Sequence, residues 1–237
     1  MSNTETVEMT DPIEQSVGGK GGHLLRRAFH VSMSFIPFVY YLWYEPLVDF
    51  LSDISNLSWT KEKIVSIGII VMAIGEGIRL KLGVTIYGQR KYEAHQVSAL
   101  VWGAFGVGMT CLYAPSAGIG FAIIISLSLG DPLLGELRRK GMDENKVMLY
   151  GSLLLALIWS GSAYWSDASW WMVPIFAPLC VLAEKPRLRF IDDNATMSLI
   201  PLAVAMVFAP WLRLAISFVI FTSRLLPQVI HERRRKH

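Results

Sequence analysis

The sequence predicts an all-α fold, a polytopic transmembrane helical bundle of seven or eight spans, and three observations predict it. Of 237 residues, 53% are hydrophobic and only 17% charged, whereas charged residues make up about a quarter of a soluble domain. Apolar runs close to the ~20 residues that cross a bilayer recur along the chain. Lys and Arg crowd alternate gaps between those runs. A mean hydropathy of +0.42 agrees.

Taken in order, residues 1–23 are polar and rich in glycine towards their end, without the basic start or small-residue cleavage pattern of a signal peptide. They are expected to form a flexible tail. Residues 24–230 read as a single transmembrane catalytic domain and 231–237 as a basic tail. Spans are expected at 28–47, 62–80, 97–114, 117–130, 147–165, 170–183 and 197–222. The last carries Pro210 and Arg213 in its middle, so it reads either as one span or as a broken hairpin. Cys111 and Cys180 lie far apart inside apolar runs and suggest neither a disulfide framework nor a metal site. The net charge is only +3, and no nucleic-acid partner is expected.

The distribution of charge says more than its sum. The N-terminal flank and the second, fourth and sixth gaps hold fourteen Lys and Arg, against Lys61 and Lys63 alone in the others. The positive-inside rule therefore predicts that the basic gaps face the cytoplasm. Acidic residues within or beside the spans collect on the same side: Glu76, Asp131, Glu184, Asp192 and Asp193. An active site facing the cytosol is the expectation.

Individual motifs sharpen it. In "LRRAFH", Arg26, Arg27 and His30 share one helical face where the chain meets the membrane; the plain alternative is a basic anchor. In "GEGIRLK", Glu76 and Arg79 stand three residues apart and can pair, as a structural ion pair or as part of a site. In "SLSLGDPLLGELRRKG", Gly130 is expected to end the fourth span and Asp131-Pro132 to start a short surface helix, with aspartate as cap and proline in its first turn. Such an aspartate can instead hold a divalent metal, with Arg138, Arg139, Lys140 and Lys146 near enough to hold phosphate. In "AEKPRLRFIDDNATMSLIP", Glu184, Asp192, Asp193 and Asn194 offer oxygen ligands for Mg²⁺ beside a basic loop containing Arg187; Asp-Asp-Asn also suits a helix cap. P-loop, kinase-type glycine loop, zincin and serine-hydrolase motifs are absent.

The ordered set "LRRAFH", "EGIRL", "GDPLLGELRRKG" and "IDDNATMSLIP" resembles the membrane polyprenol kinase family, which includes dolichol, phytol and farnesol kinases and a CTP-dependent diacylglycerol kinase. The resemblance runs from about residue 24 to 205. It implies CTP, or another triphosphate such as ATP, as phosphoryl donor, an isoprenoid alcohol in the bilayer as acceptor, and Mg²⁺ as cofactor. By that likeness His30, Glu76, Arg79, Asp131 and Asp193 are catalytic. Arg27, Arg138, Arg139, Lys140, Lys146 and Arg187 would hold the nucleotide. Asp131, Glu184, Asp192, Asp193 and Asn194 would hold the metal, and His30 or one of the carboxylates would take the hydroxyl proton. The chain departs from the family pattern at Pro132, Leu134 and Tyr150. The alternatives are a phosphatidate cytidylyltransferase-like enzyme and a membrane transporter or scaffold. The alcohol, the oligomeric state and the compartment, plasma membrane of a prokaryote or endoplasmic reticulum, stay open.

Overall fold

In a computed structural model of the chain, residues 12–186, 188 and 190–208 are described. Among them every regular element is helical, and one isolated antiparallel bridge joins Ser16 to Arg90. The helices are α1 (Pro12–Gln15), α2 (Gly19–Ser32), α3 (Ile36–Tyr41), α4 (Tyr44–Ser55), α5 (Lys61–Leu82), α6 (Ala99–Tyr113), α7 (Ala117–Arg139), α8 (Glu144–Trp165), α9 (Val173–Ala183) and α10 (Asp193–Phe208). Hydroxyl caps start several of them: Thr60, Ser98 and Ser116 accept from the backbone N–H groups of Lys63, Val101 and Ile119.

The core is built around α7. Ile123, Ile124, Leu127 and Leu134 are fully buried there, against Leu155 and Trp159 of α8, Phe176, Cys180 and Val181 of α9, and Met197 of α10. The outside is apolar as well. Ile67, Ile70, Val71, Ile74 and Ile78 form an exposed stripe on α5, and Leu149, Leu153 and Leu157 repeat every fourth residue along α8. Exposed apolar stripes of this kind are suited to contact with something other than water. Among the described residues two helices, α7 and α8, are long and apolar enough to cross a membrane; at 23 and 22 residues they reach about 33 to 35 Å. The helices α6 and α10 are apolar but shorter.

Three expectations are corrected. Residues 12–23 are not a featureless tail: they carry α1 and the start of α2, and Val17 exchanges hydrogen bonds with Gly88 and Gln89. Gly18, at φ +89°, permits this docking, because a Cβ there would collide with the Tyr87 ring. The first apolar run is not one helix over 28–47. It breaks at Leu42 and Trp43, because Pro46 lacks the N–H that a continuous helix would give to the Leu42 carbonyl. Gly130 does not end a helix, nor does Asp131 start one: α7 continues to Arg139 with Pro132 inside it. Proline removes one hydrogen bond to Ser128, and burial of α7 among its neighbours outweighs that loss. Pro210, Arg213, Arg187 and the basic tail lie outside the described residues.

The helices run back and forth so that alternate connections meet. At one end Arg26 of α2 pairs with Glu93, Arg27 with Glu136 of α7, and Arg138 with Glu184. At the other end Asp167 accepts from the Gly118 N–H at 2.8 Å. There, too, the Lys61 ammonium lies 4.5 to 5.9 Å from the ring centres of Tyr40, Tyr41 and Tyr44.

Candidate functional site

Uninterrupted helix through Pro132 leaves the Asp131 carboxylate free of capping duty, and it points to the end where the basic connections meet. Carboxylate oxygens of Asp131 on α7, Glu184 just beyond α9 and Asp193 at the start of α10 lie within 4.8 Å of one another. Two full negative charges at that distance repel by about 3.5 kcal/mol at an effective dielectric constant of about 20. Asp192 caps α10 by accepting from the Asn194 N–H at 3.2 Å. Burial, reinforced by the neighbouring Asp193 charge, pushes the Asp192 carboxyl up to about 8. Burial likewise pushes Glu184 up to about 7, against the opposing pull of Arg138. Arg138 grips Glu184 with two nitrogens at 2.5 and 3.0 Å.

Arginines surround this cluster. Arg26 donates to Glu93 at 2.9 Å; Glu93 is almost fully buried and also accepts from the Arg90 and Ala99 N–H groups. One carboxylate thus fixes α2, the connection after α5 and the start of α6. Arg27 and Arg139 both donate to Glu136. A polar cavity of about 80 Å³ opens among Arg26, Arg27, Arg90, Arg139, His30 and Asp131.

A second, apolar cavity of about 260 Å³ lies between α2 and α6. His30 lines both. Its Nδ1 is 3.2 Å from Asp131 Oδ2, close but not aligned as a hydrogen bond.

The expected residues are therefore distributed unevenly. His30, Arg27, Asp131, Arg139, Glu184, Asp192, Asp193 and Arg138 are brought to one end of the bundle. Glu76 and Arg79 form a buried bidentate pair, 2.8 Å in both contacts, that lines neither cavity. Arg79 also donates to the Val84 and Gln96 carbonyls, and Glu76 accepts from the Ser98 N–H. The pair ties the connection 83–98 to α5. Lys140 and Lys146 are exposed and line neither cavity. Arg187 lies outside the described residues. Sequence reasoning placed Arg26 on the face of Arg27 and His30 but left Arg90 and Glu93 out of the site; the Arg90-x-x-Glu93 spacing, which closes a capping box, was the available signal.

Comparison with family models, with curated proteins and with solved structures found no match. The site must therefore be judged on its own chemistry. The donor set fits a hard divalent cation such as Mg²⁺: every group offered is oxygen. Asn194, next in sequence to Asp193, is fully buried; its Nδ2 donates to the Ala99 carbonyl at 3.1 Å, and its Oδ1 has no hydrogen-bond partner among the described residues.

Proposed function

We propose that this chain is a multi-pass membrane phosphotransferase that moves the γ-phosphoryl group of CTP, or of another nucleoside triphosphate, onto the hydroxyl of an isoprenoid-type lipid alcohol. One observation carries the reading: the His30–Asp131 contact stands where an apolar furrow and an arginine-lined polar cavity share a wall, with three carboxylates converging beside it. A lipid alcohol needs the first cavity and a triphosphate the second.

In this mechanism Arg26, Arg27, Arg90 and Arg139 bind and orient the phosphates, which is most of what phosphoryl transfer asks of a protein. Asp131, Glu184, Asp193 and Asn194 would hold Mg²⁺, which when bound neutralises charge on the triphosphate oxygens. The acceptor oxygen attacks the γ-phosphorus, the bond to the β–γ bridging oxygen breaks, and the nucleoside diphosphate leaves with that oxygen's electron pair. The His30–Asp131 pair takes the hydroxyl proton. Glu76 and Arg79 act as positioning residues through the connection that carries Arg90 and Glu93.

The spans beyond α7 and α8 are α5, α6, α9, α10 and the α2–α3 pair, with the site at the cytoplasmic surface. The exposed apolar stripes support this, as does the meeting of the four basic segments at one end. The test is transfer of label from γ-labelled CTP and ATP to a panel of lipid alcohols by purified protein in vesicles with Mg²⁺. Labelled lipid phosphate is expected; label from the α-position alone would replace the kinase with a cytidylyltransferase, and no transfer at all would overturn both.

A further inference from the structure

We infer that the docked N-terminal strap, residues 16–23, holds the nucleoside end of a nucleotide lying lengthwise between α2 and α7, and that Ser16 and His23 set the choice among nucleoside triphosphates. This rests on the phosphotransferase reading and specifies its donor site. The strap lies upstream of the four motifs from which the site was expected.

Two contacts give the seam between α2 and α7 its direction. His30 meets Asp131 and Arg27 meets Glu136, so the two helices run antiparallel. Residues bordering the polar cavity follow that order, with His30, Arg27 and His23 along α2 and Asp131, Gly135 and Arg139 along α7. The three on α2 share one helical face over two turns, about 10 Å. The His30 end is the reacting end, because His30 is buried and also lines the apolar cavity, where the transferred group has to meet its acceptor. The other end is open. Arg139 exposes 40% of its side chain, and Gly135 is exposed with nothing within 4 Å of a Cβ placed there.

At about 80 Å³ the cavity is well below the roughly 300 Å³ of a pocket that encloses a whole ligand. It takes phosphates, and the nucleoside emerges at the open end. His23 borders that end, and Ser16 lies one turn beyond, its carbonyl accepting from the Gly19 N–H. An imidazole and a hydroxyl can each donate or accept, which is what tells one base edge from another, whereas the arginines answer only to phosphate charge. The strap is fixed in place. Val17 donates to the Gln89 carbonyl at 2.8 Å and accepts from the Gly88 N–H at 3.0 Å, and Ser16 bridges to Arg90, which also lines the cavity. A Cβ at Gly22 would collide with the Val17 carbonyl, so the close turn requires glycine there.

The experiment uses the full chain in vesicles with two photoreactive CTP analogues, one carrying its azide on the base and one on the γ-phosphate, and maps cross-linked peptides by mass spectrometry beside the transfer assay. The base probe is expected to label residues 16–23 and the γ-phosphate probe the segments around His30 and Asp131, both displaced by unlabelled CTP. Ser16→Ala and His23→Ala are each expected to change the ratio of kcat/KM for CTP and ATP by roughly two- to tenfold, the worth of one hydrogen bond. KM for the alcohol and the unfolding temperature should stay unchanged, and Arg27→Gln should weaken both donors equally. Interchanged labelling, or a CTP to ATP ratio unmoved in both strap variants, would overturn the inference and leave the kinase standing. The expected labelling without transfer to any alcohol would uphold the placement of the nucleotide and overturn the kinase.

Discussion

The imidazole of His30 lies 3.2 Å from the carboxylate of Asp131, joining α2 to α7 at the point where the polar and apolar cavities adjoin. Replacing Asp131 by Asn keeps the shape and removes the charge. Transfer of the γ-phosphoryl group is expected to fall by about 10²- to 10⁴-fold, the range of general acid–base contributions, while thermal unfolding in detergent stays close to wild type. Loss of both fold and activity would instead make Asp131 a structural residue.

The acidic cluster should couple stability to pH and to divalent cations. Burial pushes the Glu184 and Asp192 carboxyls well above their ordinary 4.5 and 3.8, to about 7 and about 8. The folded chain therefore holds protons that the unfolded chain has released, so without cation its stability falls as pH rises from about 4 to about 8. Added Mg²⁺ is expected to raise the unfolding temperature most at the upper end of that window, because ligands must be deprotonated to bind. Asp193→Asn should remove the cation response, which thermal scans at several pH values would read directly.

Glu76 and Arg79 should behave as a structural pair. Arg79→Ala leaves a buried carboxylate without its partner and strips donors from the Val84 and Gln96 carbonyls. A loss of about 3 kcal/mol or more is expected. Arg79→Lys should not restore it, since an ammonium cannot reproduce two parallel contacts. Thermal unfolding and the yield of folded protein in detergent provide the check.

Gly106 sets the approach of α10 to α6. A Cβ there would collide with Ser198 Oγ, so Gly106→Ala is expected to cost about 1 to 3 kcal/mol through overpacking. Adding Ser198→Ala should recover part of the loss, and a double-mutant cycle on unfolding free energy measures the coupling.

Orientation is testable with engineered thiols, because Cys111 and Cys180 are buried. An impermeant maleimide should reach Lys146→Cys from the cytoplasmic side of sealed vesicles and Asp53→Cys from the opposite side. The reverse labelling would place the arginine-lined cavity outside.

Much of the candidate site was legible because charged residues are sparse along the apolar runs. An aspartate or arginine beside a long apolar run stands out, and this brought His30, Arg27, Asp131, Glu184 and Asp193 forward. Glu93 and Arg90 escaped because they lie in an ordinary polar connection, where nothing local distinguishes a buried glutamate from a solvated one. The Gly-Asp-Pro stretch misled for the opposite reason. Its local chemistry favours a break and a cap, but the favourable packing of α7 against α8, α9 and α10 exceeds the hydrogen bond that Pro132 removes.

Composition and apolar periodicity alone determined that the chain is helical and where most helices run, since both depend on residues close in sequence. Only the tertiary structure decided which charges meet. The distance from His30 to Asp131 and the convergence of Asp131, Glu184 and Asp193 depend on how α2, α9 and α10 lean on α7. Those separations follow from side-chain volumes packed across helices, and no local pattern encodes them.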